Sequence, residues 1–420
     1  MAKLLIQGGV PLCGTVRIHG AKNAVLPILA AAMLPHGQSV LTNCPQIADV
    51  TAACAILRGL GAQVRTRGGT ILVDATSELD DCIPSAQMQT MRSSILFLGA
   101  MLARCGRAEL SYPGGCVLGE RPINLHLQAL RQMGAECSVT QERIVCRAAR
   151  LHACTVTLPF PSVGATENVL LAATGADGTV TLCNAAREPE IVELAAFLRA
   201  CGARVRGAGS SVIEVTGGEL HGAQKRVCPD RMEAATYLAA AAATRGSLTL
   251  SGVQPAHLTA VTQAFRQAGC ELSESEQEIR IRCDRLRAIP PVRTAPYPGF
   301  PTDAQPPMMA AMATAAGTTV FEENIFASRF RHAQSLREMG AKISCGRKVA
   351  VVTGVETLHA ASVSGTDLRA TAALAVAALA AQGESRIGGL AYLDRGYSAF
   401  AEKLRAVGAR IRRVEDPNYE

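Results

Sequence analysis

Tryptophan is missing from this 420-residue chain, and aromatic residues make up only 4% of it. There is no basic tail, and the C-terminus is acidic at Val414-Glu415-Asp416-Pro417-Asn418-Tyr419-Glu420. The stacking surfaces and charge runs of a nucleic-acid binder are therefore absent. No apolar run approaches the ~18 residues that cross a bilayer. The N-terminus, Met1-Ala2-Lys3-Leu4-Leu5-Ile6-Gln7-Gly8-Gly9, has no signal-peptide core, so a soluble cytoplasmic protein with no membrane association is expected. Among 15 cysteines and 8 histidines there is neither a Cys-x-x-Cys nor a His-Glu-x-x-His. The usual spacings of a metal site are thus excluded, and most cysteines read as small buried apolar residues. A glycine-rich dinucleotide fingerprint is lacking too. No metal and no cofactor are expected.

What is present suits a globular protein: 48% hydrophobic and 18% charged residues, at a length that predicts two or three domains. The net charge of +7 permits an acidic ligand. One pattern recurs six times: an Ala-rich helix, a short strand ending in Gly, Pro or Asn, and a second amphipathic helix closing on Gly. The closing glycines are Gly61, Gly134, Gly202, Gly269, Gly340 and Gly408, a period of roughly 70 residues, longer than common solenoid repeats. Charged residues keep the same phase. Lys22, Arg92, Arg231, Asp303 and Arg369 fall at the starts of first helices, and Arg121, Arg329 and Arg395 at the starts of second helices. Helix N-termini present free N–H groups and a positive dipole end, so the array reads as an anion-binding face.

The six units group as three and three. The polar stretch His221–Asp230, closed by proline, is the candidate hinge. The expected domains are 22–228 and 1–21 plus 229–420, because the strands Lys3–Gln7 and Thr15–His19 have no helix of their own and should add to the second group's sheets. Helices such as Ala234–Ala243 are apolar on almost every face and belong inside sheets. A cleft between two such α/β domains is the expected small-molecule site. One segment departs from the plan. Ser111-Tyr112-Pro113-Gly114-Gly115-Cys116-Val117-Leu118-Gly119-Glu120-Arg121-Pro122 is a Gly/Pro-rich loop carrying a thiol near cations, a setting for a reactive cysteine.

Taken together, these segments resemble the UDP-N-acetylglucosamine 1-carboxyvinyltransferases, over essentially the whole length. The resemblance is carried by Gly20-Ala21-Lys22-Asn23-Ala24, Met91-Arg92-Ser93-Ser94, Pro113-Gly114-Gly115-Cys116 and Ser162-Val163-Gly164-Ala165-Thr166-Glu167-Asn168. It continues through Pro229-Asp230-Arg231, Gly299-Phe300-Pro301-Thr302-Asp303, Glu323-Asn324-Ile325-Phe326, Asp367-Leu368-Arg369-Ala370 and Leu393-Asp394-Arg395-Gly396-Tyr397. It implies two inside-out α/β barrels of threefold internal repeat, helices within and sheets without. It also implies transfer of the enolpyruvyl group of phosphoenolpyruvate to the 3′-hydroxyl of UDP-N-acetylglucosamine, releasing phosphate, the first committed step of peptidoglycan synthesis. No obligate protein partner is implied.

By resemblance, Cys116 gives a proton to carbon 3 of phosphoenolpyruvate and is the residue alkylated by fosfomycin, while Asp303 is the base at the sugar hydroxyl. Lys22, Arg121 and Arg395 hold phosphoenolpyruvate, and Arg92, Arg329 and Arg369 complete the clamp. The sugar nucleotide is assigned to Asn23, the run Arg121-Pro122-Ile123-Asn124-Leu125, Ser162-Val163-Gly164, Asp303 and Ile325. Four positions depart from the family pattern: Glu120, Asn124, Phe160-Pro161 and Arg331. Two rival readings are 5-enolpyruvylshikimate-3-phosphate synthase and a catalytically silent sugar-nucleotide-binding paralogue.

Overall fold

The computed structural model describes residues 2–84, 92–111 and 123–415, with the backbone alone at 92 and 93. These residues form two compact units, one of 20–111 and 123–228, the other of 2–19 and 229–415. Each has its own hydrophobic core and three separate four-stranded sheets. No continuous closed barrel of strands runs through either unit among the described residues; each sheet ends at its own fourth strand.

The repeat is legible in any sheet. Strand Thr155–Thr157 leads to helix Val163–Ala173, then to strand Thr179–Cys183, which pairs parallel to the first. Helix Pro189–Ala200 follows, and the hairpin Arg204–Arg206 with Val212–Thr216 adds two antiparallel strands. The strands alternate in burial, as Ser247–Ser251 shows with Leu248 and Leu250 inward, so each sheet turns one face to the core. The first helix of each repeat lies inside. In Arg231–Ala243 every residue after Arg231 is buried, and in Gln305–Met312 every residue is. With Leu368–Ala380 these three pack on one another. Alanine fits this role, since its small side chain lets helices approach while leaving no polar atom to satisfy. The second helices are amphipathic: Thr259–Gln267 buries only Val261, Thr262, Ala264 and Phe265. All six closing glycines adopt φ between 90° and 108°, the left-handed conformation that ends a helix and is open chiefly to glycine.

The chain order is interleaved at the ends. Strand Ala2–Gln7 inserts between Glu384–Gly388 and Arg410–Glu415, with Gln7 opposite both Glu384 and Arg410. Strand Cys13–Arg17 pairs parallel with Ser247–Ser251. Strand Gln224–Arg226 returns to lie parallel beside Gln38–Thr42. Within the described residues no helix is long and apolar enough to cross a membrane.

Candidate active site

The richest polar cluster of the unit 2–19 and 229–415 lies where its inner helices begin. Asp367 accepts from the backbone N–H of Arg369 at 2.9 Å and of Ala370 at 3.1 Å, capping Leu368–Ala380. Asp230 does the same for Arg231–Ala243 through Met232 and Glu233. These carboxylates answer the orphan donors and the dipole of each helix start. Asp303 is differently employed. It sits in the 3-10 turn Thr302–Ala304 before Gln305–Met312, whose N-cap positions Pro301 and Ala304 carry no side-chain cap bond. Its Oδ1 accepts from Arg329 Nη2 at 2.8 Å, and its Oδ2 from Arg369 Nε at 3.1 Å and Nη2 at 3.0 Å.

Both arginines are fixed from behind. Arg329 donates from Nε and Nη2 to the Thr302 carbonyl at 3.1 and 2.9 Å. Arg369 donates from Nη1 to Tyr397 Oη at 3.1 Å, and Tyr397 Oη lies 2.7 Å from Thr236 Oγ1 on the neighbouring inner helix. Burial works against the Arg369 cation, but Tyr397 and Asp303 hold its pKa above the usual arginine value. The two guanidiniums are almost wholly covered, whereas the Asp303 side chain keeps 28% of its exposure. One accessible carboxylate therefore stands between two charge-assisted donors of fixed geometry. Ile325 belongs to the same neighbourhood. Glu323 accepts from the N–H groups of Ile325 and Phe326 at 2.8 and 2.9 Å, and from Thr302 Oγ1 at 3.0 Å.

Arg395 does not open a helix, as its phase in the repeat suggested. The second helix of the last repeat is split into Leu390–Leu393 and Phe400–Ala406, and Arg395 lies half-buried in the intervening turn. The break ends at Ala399, whose φ of 51° is left-handed and cannot continue a helix.

In the unit 20–111 and 123–228, Lys22 is the first residue of helix Lys22–Ala31 and is buried with its Nζ 2.6 Å from Asp49 Oδ2. Asn23 beside it is exposed. Arg92 opens the 3-10 turn Arg92–Leu96. Ile123 and Leu125 are half-buried and Asn124 is exposed, at the start of helix Asn124–Gln132. Ser162 caps Val163–Ala173, its Oγ accepting from Ala165 N at 3.4 Å, with Val163 and Gly164 half-buried in the first turn. Gly164 lies against a ring: a Cβ there would stand 3.0 Å from His126 Cε1. Cys116, Arg121 and Pro122, with Glu120, fall outside the described residues. Among the described residues no group of three or more His, Cys, Asp or Glu is placed to hold a metal ion.

Several partners gave no signal in the sequence. Asp49 sits in an ordinary amphipathic helix, and Tyr397 was visible only as the last letter of a motif.

Residues 6–404 match the profile of the EPSP synthase (3-phosphoshikimate 1-carboxyvinyltransferase) family. Over 416 residues the chain is 44% identical to UDP-N-acetylglucosamine 1-carboxyvinyltransferase 2 of Caldanaerobacter subterraneus subsp. tengcongensis, covering 99% of this chain and 100% of that one. The chain belongs to the UDP-N-acetylglucosamine 1-carboxyvinyltransferase family. The family protein of the same name from Carboxydothermus hydrogenoformans is also 44% identical, over 419 residues, with 99% and 100% covered. Among solved structures, the enolpyruvyl transferase NikO from Streptomyces tendae superposes with a TM-score of 0.90 at 26% identity, covering 99% of each chain. The inside-helix, outside-sheet architecture expected from the repeat is thus the enolpyruvyl transferase fold, and the chain is a transferase.

Proposed function

We propose that the protein transfers the enolpyruvyl group of phosphoenolpyruvate to the 3′-hydroxyl of UDP-N-acetylglucosamine and releases phosphate, supplying the cytoplasmic entry to peptidoglycan synthesis. The observation that carries this reading is the 44% identity, over 99% of the chain, to relatives bearing that activity in their names. It favours the sugar-nucleotide acceptor over shikimate 3-phosphate. A silent paralogue would have no need to keep Asp303 accessible between two buried guanidiniums.

The chemistry follows from the bonds to be made. Protonation of carbon 3 by the Cys116 thiol turns carbon 2 into an electrophile. The sugar hydroxyl adds to carbon 2 as its proton passes to Asp303, which the arginines hold in place. Loss of phosphate from carbon 2 and of a proton from carbon 3 then restores the double bond. Lys22, Arg92, Arg121, Arg329, Arg369 and Arg395 offset the carboxylate and phosphate charges, arginine by paired hydrogen bonds. Asn23, the run 121–125, Ser162–Gly164 and Ile325 receive the sugar nucleotide. The test is phosphate release on mixing the two substrates. Release with shikimate 3-phosphate and none with UDP-N-acetylglucosamine would reject the reading.

A further inference from the structure

Asn168 is completely buried on the inner helix Val163–Ala173, and its amide is fully engaged by three other segments. Its Oδ1 accepts from Gly99 N at 2.7 Å. Its Nδ2 donates to His126 Nδ1 at 2.8 Å and to the Ile95 carbonyl at 3.1 Å, with the Gly164 carbonyl at 3.4 Å. The amide's orientation is set by chemistry. Gly99 N–H can only donate and a carbonyl can only accept, so nitrogen must face Ile95 and oxygen must face Gly99. His126 Nδ1 is then the acceptor and its proton sits on Nε2. Burial agrees, pressing the His126 pKa down to about 4 and keeping the ring neutral.

The partners mark three places. Ile95 lies in the turn that Arg92 opens, and Gly99 N–H is one of the orphan donors at the start of helix Phe97–Cys105. His126 is in the first turn of Asn124–Gln132, three residues after Ile123. Gly164 is two residues past the Ser162 cap. The seat is close, since a Cβ on Gly99 would come within 2.3 Å of the Asn168 backbone oxygen and 3.0 Å of its Oδ1.

We infer that Asn168 is a positioning residue for the sugar-nucleotide subsite, its amide holding the segments 92–96, 123–126 and 162–164 in one register. The inference rests on the reading above, in which 123–125 and 162–164 meet UDP-N-acetylglucosamine and Arg92 of the remaining segment serves the charge clamp. Asn168 is too deeply buried to touch substrate and acts only through what it aligns. Asparagine alone among residues of its size combines two donors and an acceptor on one planar group. Aspartate keeps the bond from Gly99 and has nothing to give Ile95.

Two variants test this by steady-state kinetics and calorimetric binding. Asn168→Asp removes the donor to Ile95; His126→Phe keeps the ring volume and removes the acceptor at Nδ1. In Asn168→Asp the KM for UDP-N-acetylglucosamine should rise about tenfold, the effect of roughly one lost buried hydrogen bond. The KM for phosphoenolpyruvate should stay within about twofold, because Arg92 is the one of its assigned ligands that lies on a segment held by Asn168. His126→Phe should move the same constant in the same direction by a smaller factor. If kcat falls with loss of folded protein while both KM values stay unchanged, the role is structural only and the inference is overturned. If Asn168→Asp does not fold, His126→Phe decides on the same criterion. A wild-type protein that binds no UDP-N-acetylglucosamine overturns the functional reading and this inference with it. A wild type that binds while both variants bind equally well overturns the inference alone.

Discussion

Replacing Asp303 with alanine should cost stability as well as activity. The change strands Arg329 and Arg369, whose side chains are only 1% and 4% exposed, without their shared anion. Removing one partner of a buried ion pair costs about 3–5 kcal/mol, mostly because the remaining charge is left uncompensated. Two features move this case to the lower end. Asp303 is itself 28% exposed, and each arginine keeps a second partner, the Thr302 carbonyl or Tyr397 Oη. About 3 kcal/mol in a unit of roughly 200 residues corresponds to a fall of about 6–12 °C in Tm. Differential scanning calorimetry at pH 7 reads this directly. Inorganic phosphate should stabilise Asp303→Ala more than the wild type, since an anion can take the place of the missing carboxylate. A variant melting within about 1 °C of wild type, with equal responses to phosphate, would refute the argument that the two guanidiniums depend on Asp303.

Further expectations concern the thiol, metal ions and acid. Cys116→Ala should abolish turnover while UDP-N-acetylglucosamine binding by calorimetry stays nearly unchanged, and peptide mapping should find fosfomycin on Cys116 rather than another cysteine. Phosphate release should continue at full rate in excess chelator; a loss restored by a divalent ion would contradict the assignment of the charge work to Arg and Lys. Burial depresses His126 and His332 to about 4 from the usual 6.5. Both fold neutral and take up a proton on unfolding, so the stability they contribute is present above pH 6.5 and lost as pH falls through 4. For His126 that loss amounts to about 3 kcal/mol. In His126→Phe the urea midpoint should fall less steeply between pH 6.5 and 4, and an unchanged slope would count against a neutral buried ring.

The sequence carried the repeat well, for a local reason. A helix must end, and the six closing glycines are the residues that can end it with positive φ. The solitary N-terminal strands were assignable because a strand without a partner must find a sheet elsewhere. The side-chain pairings were another matter. Lys22 meets Asp49 on the second helix of its own repeat, and Arg369 meets Tyr397 in its own repeat and Asp303 in the one before, across separations that depend on how those elements pack. Propensity and spacing carry no record of that packing. Arg395 illustrates the limit from the other side. The repeat phase placed it at a helix start, but in the last repeat the helix breaks around Gly396 and resumes only after a left-handed Ala399.

The interleaved chain order has a consequence for how the protein is made. Residues 20–111 and 123–228 form a unit whose two ends are joined, Ala21 N–H donating to the Cys228 carbonyl at 2.7 Å, and its last strand, Gln224–Arg226, completes its first sheet. On the ribosome this unit has its last described strand once Gln224–Arg226 has emerged. The other unit must wait longer. Ala2–Gln7 emerges long before its neighbours Glu384–Gly388 and Arg410–Glu415. For most of translation this strand has both edges unpaired, an apolar segment open to wrong partners. A permuted gene that begins at residue 229 and appends 2–228 after 415 would release the strand only when its partners are already present.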